Sequence, residues 1–305
     1  MAVRPYLRSS LARTLYEKMV KDEGLRRYDK SKWYEVDLDL VSCNMRELFV
    51  ASEVDQDTED FLENSCEKSD WVMTQVFHSL VRSILCWFMT RTSINGFLGR
   101  GSMFVFSNTQ LENLLGNYTQ PTWKECGNML DLGAGDGKVT EVMSSYFQNT
   151  YVTEISGVMR RILAAKNFRV LDIDNWHDPG EGPRYFDVIS CLNLLDRCDR
   201  PITLLQQIRN KLNPDSGLLI LAVVLPLNQY VESGEDHQPA EKIQIEGKTL
   251  EEQASSLAQS LFVESGFQVL RWTRLPYLCE GDLDQSFYWL NDAVFVMKVA
   301  DSCNS

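Results

Sequence analysis

The sequence predicts an α/β fold, a Rossmann-like doubly wound sheet behind an N-terminal helical cap, on three observations. From residue 128 onward, short apolar runs alternate with helical patterns, which implies parallel strands joined by crossover helices. One run, Asn128-Met-Leu-Asp-Leu132, breaks into the glycine turn Gly133-Ala-Gly-Asp-Gly137. The half before it shows helical spacing and no strand alternation of note.

In that first half, helical patterns lie at about 10–22, 44–65 and 69–90. They divide the chain into a cap (1–125), a sheet domain (126–300) and a short tail (301–305). Strands are expected near 128–132, 150–154, 168–172, 186–192 and 217–224, with helices near 138–148, 156–166, 201–212 and 249–265. Two last strands, Phe267–Trp272 and Ala293–Val299, have no helix between them and should pair antiparallel at one edge. Their connection, Thr273–Asp282, should return over the sheet and bring Tyr277 and then Tyr288 toward the pocket mouth, although both fit equally as packing aromatics. A sheet of seven strands ending in such a hairpin is the class I methyltransferase plan.

Ligands of open parallel sheets bind beyond the carboxyl ends of the strands. Gly133 and Gly135 let the backbone approach a ligand closely. Seventeen residues after Gly137, Glu154 ends the second strand, where a carboxylate can accept both hydroxyls of a ribose. A dinucleotide site asks for Gly-x-Gly-x-x-Gly, and the third glycine here comes one residue early. Asp131 and Asp136 would repel a pyrophosphate but attract the ammonium and sulfonium of S-adenosyl-L-methionine, so that is the expected cofactor. Asp174, after the third strand, is a candidate for the adenine amino group or a solvated turn. Asn193 and Asp196, after the fourth, face the reactive end, with helix capping ahead of Pro201 as the plainer role for Asp196. Enzymes that methylate base amino groups carry Asn/Asp-Pro-Pro-aromatic at that point, and this chain has Asn193-Leu-Leu-Asp196.

Composition narrows the partners. The 305 residues are 44% apolar, enough for a full core, and the net charge of −13 disfavours nucleic-acid backbone. Eight cysteines without a Cys-x-x-Cys pair and three scattered histidines indicate neither a metal site nor a disulfide framework. No run of about 18 apolar residues suggests a membrane span; Trp71–Met89, with Gln75, His78, Ser79 and Arg82, reads as a buried amphipathic helix. Arg4, Arg8 and Arg13 precede the first acid, Glu17, a composition compatible with a mitochondrial presequence. Val231–Ala240 reads as a loop of no assigned role.

With these residues in hand, the chain resembles the methyltransferase-like protein 9 (DREV) family from about Arg8 to Lys298. The resemblance is most specific at Arg91–Gly96, Gly99–Ser107, Leu130–Gly137, Asp187–Asp199 and Leu275–Asp282. It implies a class I, S-adenosylmethionine-dependent methyltransferase that places a methyl group on the pros nitrogen (Nδ1) of histidine in His-x-His segments with small x, leaving S-adenosyl-L-homocysteine. It further implies that Glu154 and Asn193 contact the cofactor, where Asp131, Gly133, Gly135, Asp174 and Tyr277 complete the expected cofactor-binding set. Asp196, Tyr277 and Tyr288 would bound the reaction site, with Asp196, Arg100 and Tyr288 on the substrate. The implied partners are proteins with His-x-His segments, zinc-binding His-rich proteins among them. Family members begin with an apolar, signal-like segment that this chain starts after, and have been placed at the endoplasmic reticulum or mitochondria, the compartments the resemblance implies; a cytoplasmic place is expected only if the N-terminus given is the native one. The competing readings are a small-molecule methyltransferase on the same fold and a non-catalytic S-adenosylmethionine-binding protein. Arg91–Phe106 is a candidate groove wall, or equally a connector between cap and sheet.

Overall fold

A computed structural model of the chain describes residues 9–71, 73–75, 77–78, 94, 98–99, 101–231 and 236–300. Arg100, most of the 69–90 helix and residues 232–235 of the predicted loop lie outside them. Five strands run parallel: β2 (Asn128–Leu132), β3 (Asn149–Thr153), β4 (Arg169–Leu171), β5 (Val188–Leu192) and β6 (Leu218–Val224). β7 (Phe267–Glu280) and β8 (Phe287–Val299) continue the sheet antiparallel, β8 beside β6. A two-residue strand, β1 (Met103–Phe104), pairs with the outside of β7 and was not expected. The order β1-β7-β8-β6-β5-β2-β3-β4 is the class I methyltransferase plan with one short strand added. Its direction of growth reverses between β2 and β5, which sets the ligand crevice at their carboxyl ends.

Alternation along the strands builds two apolar layers. Leu130, Leu132, Ile189, Leu219, Leu221 and Phe295 pack with Leu205 and Ile208 of the helix Pro201–Lys211 and with Ala254 and Leu257 of the helix Leu250–Gln259. Their neighbours Met129, Val188, Ile220, Val294 and Val296 turn to the other side, onto Met143 of the helix Lys138–Ser144 and Leu111 and Leu114 of the helix Asn108–Leu115. The N-terminal segment joins both layers, Val41 and Met45 in the first and Trp33 and Tyr34 in the second.

The expected connection Thr273–Asp282 is corrected: it is strand, and β7 runs unbroken from Phe267 to Glu280. Pro276 reads as a breaker, but its place in the ladder asks for no donor. The amides of Trp272 and Glu280 both point away from β8, to Leu48 and Ser102, and Pro276, four residues from each, faces the same outer edge. β6 ends at Val224 opposite Asp292, so Phe287–Asn291 and their β7 partners Pro276–Glu280 overhang the carboxyl edge of the parallel strands. One side of this overhang, with Leu278 and Phe287, packs on the N-terminal segment: Trp33 meets Phe287 and Trp289, and Phe61 meets Phe104. The other side carries Tyr277 opposite Leu290, Cys279 opposite Tyr288, and Met103 beside Cys279. A buried clasp holds its tip, where Lys18 Nζ reaches Asp22 at 2.6 Å and Ser286 Oγ at 3.2 Å, and Asp22 accepts from the Ser286 backbone at 2.8 Å.

Candidate active site

The glycine turn follows β2 directly. Gly133 and Gly135 have φ of 72° and 56°, conformations that glycine adopts at no steric cost. A Cβ on Gly135 would meet nothing within 4 Å, so this face of the turn lies open, whereas one on Gly133 would touch Leu194 at 3.4 Å. The turn is tied to the end of β3: Gly133 N and Ala134 N both donate to Thr153 O at 3.0 Å. Glu154, itself buried, accepts from Gly135 N at 3.0 Å and from Ser156 N at 2.7 Å. Gly133, Gly135 and Glu154 are thus brought together, and the carboxylate retains lone pairs beyond those two bonds.

Asp131 stands elsewhere. The parity that sends Leu130 and Leu132 to one layer sends Asp131 to the other, where it accepts from Thr140 Oγ1 at 2.5 Å and Ser190 Oγ at 2.7 Å. Only 3% exposed, it ties β2 to β5 and to the helix behind the turn, and each of its two carboxyl oxygens is engaged by one of these hydroxyls. Burial pushes its carboxyl up to about 6, against the two hydroxyl bonds. Asp174 lies exposed in a turn held by Asp172, which accepts from Asp174 N at 3.0 Å and Asn175 N at 3.2 Å. Two apolar side chains the sequence reading passed over stand out at this end: Ile155 is 72% and Ile173 40% exposed, just past β3 and β4, where a flat apolar ring would cover them.

The loop after β5 holds the other half. Asn193, in left-handed conformation at φ 53°, donates its backbone N–H to Ala222 O at 2.9 Å and its Nδ2 to Asp292 Oδ2 at 2.7 Å. Asp292 is fully buried on β8 and was missed from the sequence, where its signal is a lone acid at the head of the apolar run Ala293–Met297. Asp196, 2% exposed, pairs through Oδ2 with Arg197 Nε at 3.2 Å. Burial pushes its carboxyl up, and Arg197 draws it back. Asn193 Oδ1, Asp196 Oδ1 and Asp292 Oδ1 are buried with no hydrogen-bond partner among the described residues. Three such acceptors in one place call for donors, since each costs about 1–3 kcal/mol while unpaired.

Tyr277 joins this group. Burial, then the neighbouring Cys279 and Asp292, push its hydroxyl well above its ordinary value, so it is a neutral donor, here to Met103 Sδ. Tyr288 lies farther out on the overhang and donates to Asp282 Oδ1 at 2.9 Å. The segment after Arg100 is a strut between the two halves, Ser102 donating through Oγ to Asp136 at 3.2 Å and through its backbone to Glu280 at 3.3 Å. Against the burial that would raise it, Lys68, the Ser102 amide and Lys138 hold the Glu280 carboxyl below its usual range.

These residues fit S-adenosylmethionine. The open side of Gly135 and the Glu154 carboxylate suit its nucleoside, Ile155 and Ile173 the adenine faces, and the unpaired acceptors around Asn193 its cationic end.

Among solved structures, the chain is similar to a CurJ carbon methyltransferase, at 17% identity over 82% of this chain and 73% of that one, with a TM-score of 0.47. It is similar to the mitomycin 7-O-methyltransferase MmcR at 15% identity, over 63% and 56% of the two chains and a TM-score of 0.36. It is similar to the YcgJ protein of Bacillus subtilis at 14% identity, over 59% and 95%, with a TM-score of 0.39. The family model of the DREV methyltransferase matches residues 33–299, which span every strand of the sheet and the whole of the crevice. On that match the chain belongs to the DREV methyltransferase family, and its reaction is methyl transfer from S-adenosylmethionine.

Proposed function

We propose that this methyltransferase acts on protein histidine, at Nδ1, in His-x-His segments with small x. The observation that supports it is the unpaired acceptor Asp196 Oδ1 on the loop after β5, because a neutral imidazole attacking through Nδ1 must have its proton on Nε2, held by an acceptor. Asp196 takes that role, with Arg197 holding its other oxygen and leaving Oδ1 for the Nε2 proton. S-adenosylmethionine, when bound, supplies the methyl group on a sulfonium. As the imidazole gains charge, the Asp196 carboxylate stabilises it more than it did the neutral ring, which lowers the barrier. Tyr277 and Tyr288 flank the target from the open side of the overhang, where Met103 and Leu290 are each 43% exposed. An open face of this kind suits a peptide strand better than a small molecule, which would be enclosed. His-rich proteins, zinc-binding ones among them, are the substrates it would take.

The test is incubation with labelled S-adenosylmethionine and peptides bearing His-Ala-His, Ala-Ala-His and His-Ala-Ala, the product located by fragmentation against 1- and 3-methylhistidine standards. Label on one histidine of the first peptide alone, as the pros isomer, is expected. Absence of label from a protein that binds the cofactor would move the substrate to another class.

A further inference from the structure

Asn193 has an amide that reads differently from its two ends: Nδ2 only donates, Oδ1 only accepts. An ionised carboxylate accepts only, so Asp292 Oδ2, 2.7 Å from Nδ2, selects the amide's nitrogen end and leaves Oδ1 on the other branch, buried and unpartnered. We infer that Asp292 is a positioning residue, which by holding the Asn193 amide in this sense makes the base of the crevice accept from a cation and present no N–H against it. The inference rests on the reading that the ligand beside Asn193 is the cationic end of S-adenosylmethionine, and goes beyond it in giving Asn193 a fixed polarity and naming what fixes it.

Several features beyond that single bond support it. Asp292 is fully buried, in register with Val224 where β6 ends, so it lies beside the start of the β5 loop and touches no solvent. The Asn193 backbone is in left-handed conformation, one that few side chains other than asparagine adopt, and it is pinned by the Ala222 carbonyl. The side chain therefore has one choice left, which end of the amide faces Asp292. Protonating Asp292 would remove the selection, because a carboxylic acid can donate to Oδ1 and turn the NH2 toward the ligand. Burial and then the neighbouring Asp196 charge push the Asp292 carboxyl well above its ordinary range, while the Asn193 bond opposes them. The titratable and charged groups around it are Asp196 with its partner Arg197 on the loop after β5, and Tyr277 and Cys279 on β7.

The experiment is calorimetric binding of S-adenosylmethionine to wild type, Asp292→Asn, Asn193→Ala and the double variant, from pH 6 to 9, with circular dichroism and thermal melts to establish that each is folded. At alkaline pH, Asp292→Asn should bind roughly ten- to a hundredfold more weakly, the size of one lost charge-assisted contact. The ratio to wild type should shrink toward one as the pH falls, because protonated Asp292 and asparagine are then alike. In the Asn193→Ala background the same substitution should change affinity by less than about threefold, since its effect passes through the amide. A ratio that stays constant with pH would mean that Asp292 serves the fold only, and the same loss in the Asn193→Ala background would mean that its own free oxygen meets the cation directly; either would overturn the inference. Wild-type protein that binds no S-adenosylmethionine would overturn the cofactor reading, and the inference with it.

Discussion

Asp131 and Asp196 are both buried carboxylates, but Thr140 and Ser190 occupy the first while the second keeps a free oxygen, so their substitution should read out differently. The Asp131 carboxyl is at about 6 in the fold against an ordinary 3.8. The folded chain therefore holds more protons than the unfolded one between these values, and stability falls as pH rises through that window. Two units correspond to about 3 kcal/mol, which Asp131→Asn should partly recover at pH 8 and not at pH 3, below the window, seen as a higher denaturant midpoint at pH 8 only. Equal midpoints at both pH values would mean that the carboxylate is not strained by its burial. Asp196→Asn should lower kcat about 100- to 1,000-fold and change S-adenosylmethionine affinity less than about threefold. Glu154→Gln inverts that pattern, weakening affinity roughly ten- to a hundredfold with kcat at saturation nearly kept; calorimetry and saturation kinetics on the same preparations separate the two. Glu154 was legible in the sequence because the glycine turn and a strand end at fixed spacing locate it together. Asp131 was read from its place beside the glycine turn; the alternation of Met129, Leu130 and Leu132 assigns its side, while its hydroxyl partners Thr140 and Ser190 emerge only in the fold. Asp292 escaped because its partner is ninety-nine residues away, a pairing visible only after the sheet has formed.

The elements that periodicity sees best are those whose burial is one-sided or complete. β2 spans the expected 128–132 and β6 lies within one residue of the expected 217–224, since an unbroken apolar run in a parallel sheet leaves little choice of boundary. The hairpin was half legible: its inner parts, Phe267–Trp272 and Ala293–Val299, are apolar, while the overhang mixes Pro276, Tyr277, Cys279 and Glu280 because its two sides face different surroundings. What fixes that overhang is the N-terminal helix Ser10–Arg27, through Lys18 and Asp22 on Ser286, an arrangement no local pattern encodes. Lys18→Met should leave Asp22 buried without its cation and cost about 3–5 kcal/mol. Hydrogen exchange should then quicken first at Gly281–Phe287, ahead of β2 and β5. Uniform loosening across the sheet would instead mean that the clasp belongs to the global core.

Over the whole molecule the excess of acid is large, a net charge of −13 on 305 residues, and it is a property of the surface field more than of the fold. A field of that sign should gather peptides rich in lysine, arginine or protonated histidine and repel acidic ones before any contact with Asp196 or Tyr288 is made. Attraction at a distance is screened, with a Debye length of about 30 Å at 0.01 M salt and about 10 Å at 0.1 M, whereas the enclosed acceptors around Asn193 are shielded from mobile ions. Raising salt across that range should therefore increase KM several-fold for a His-Ala-His peptide with basic flanks, lower it for one with acidic flanks, and leave kcat nearly unchanged for both. If KM moved in the same direction for the two peptides, the charge would not be steering the substrate, and selection would rest with contacts on the open side of the β7–β8 overhang.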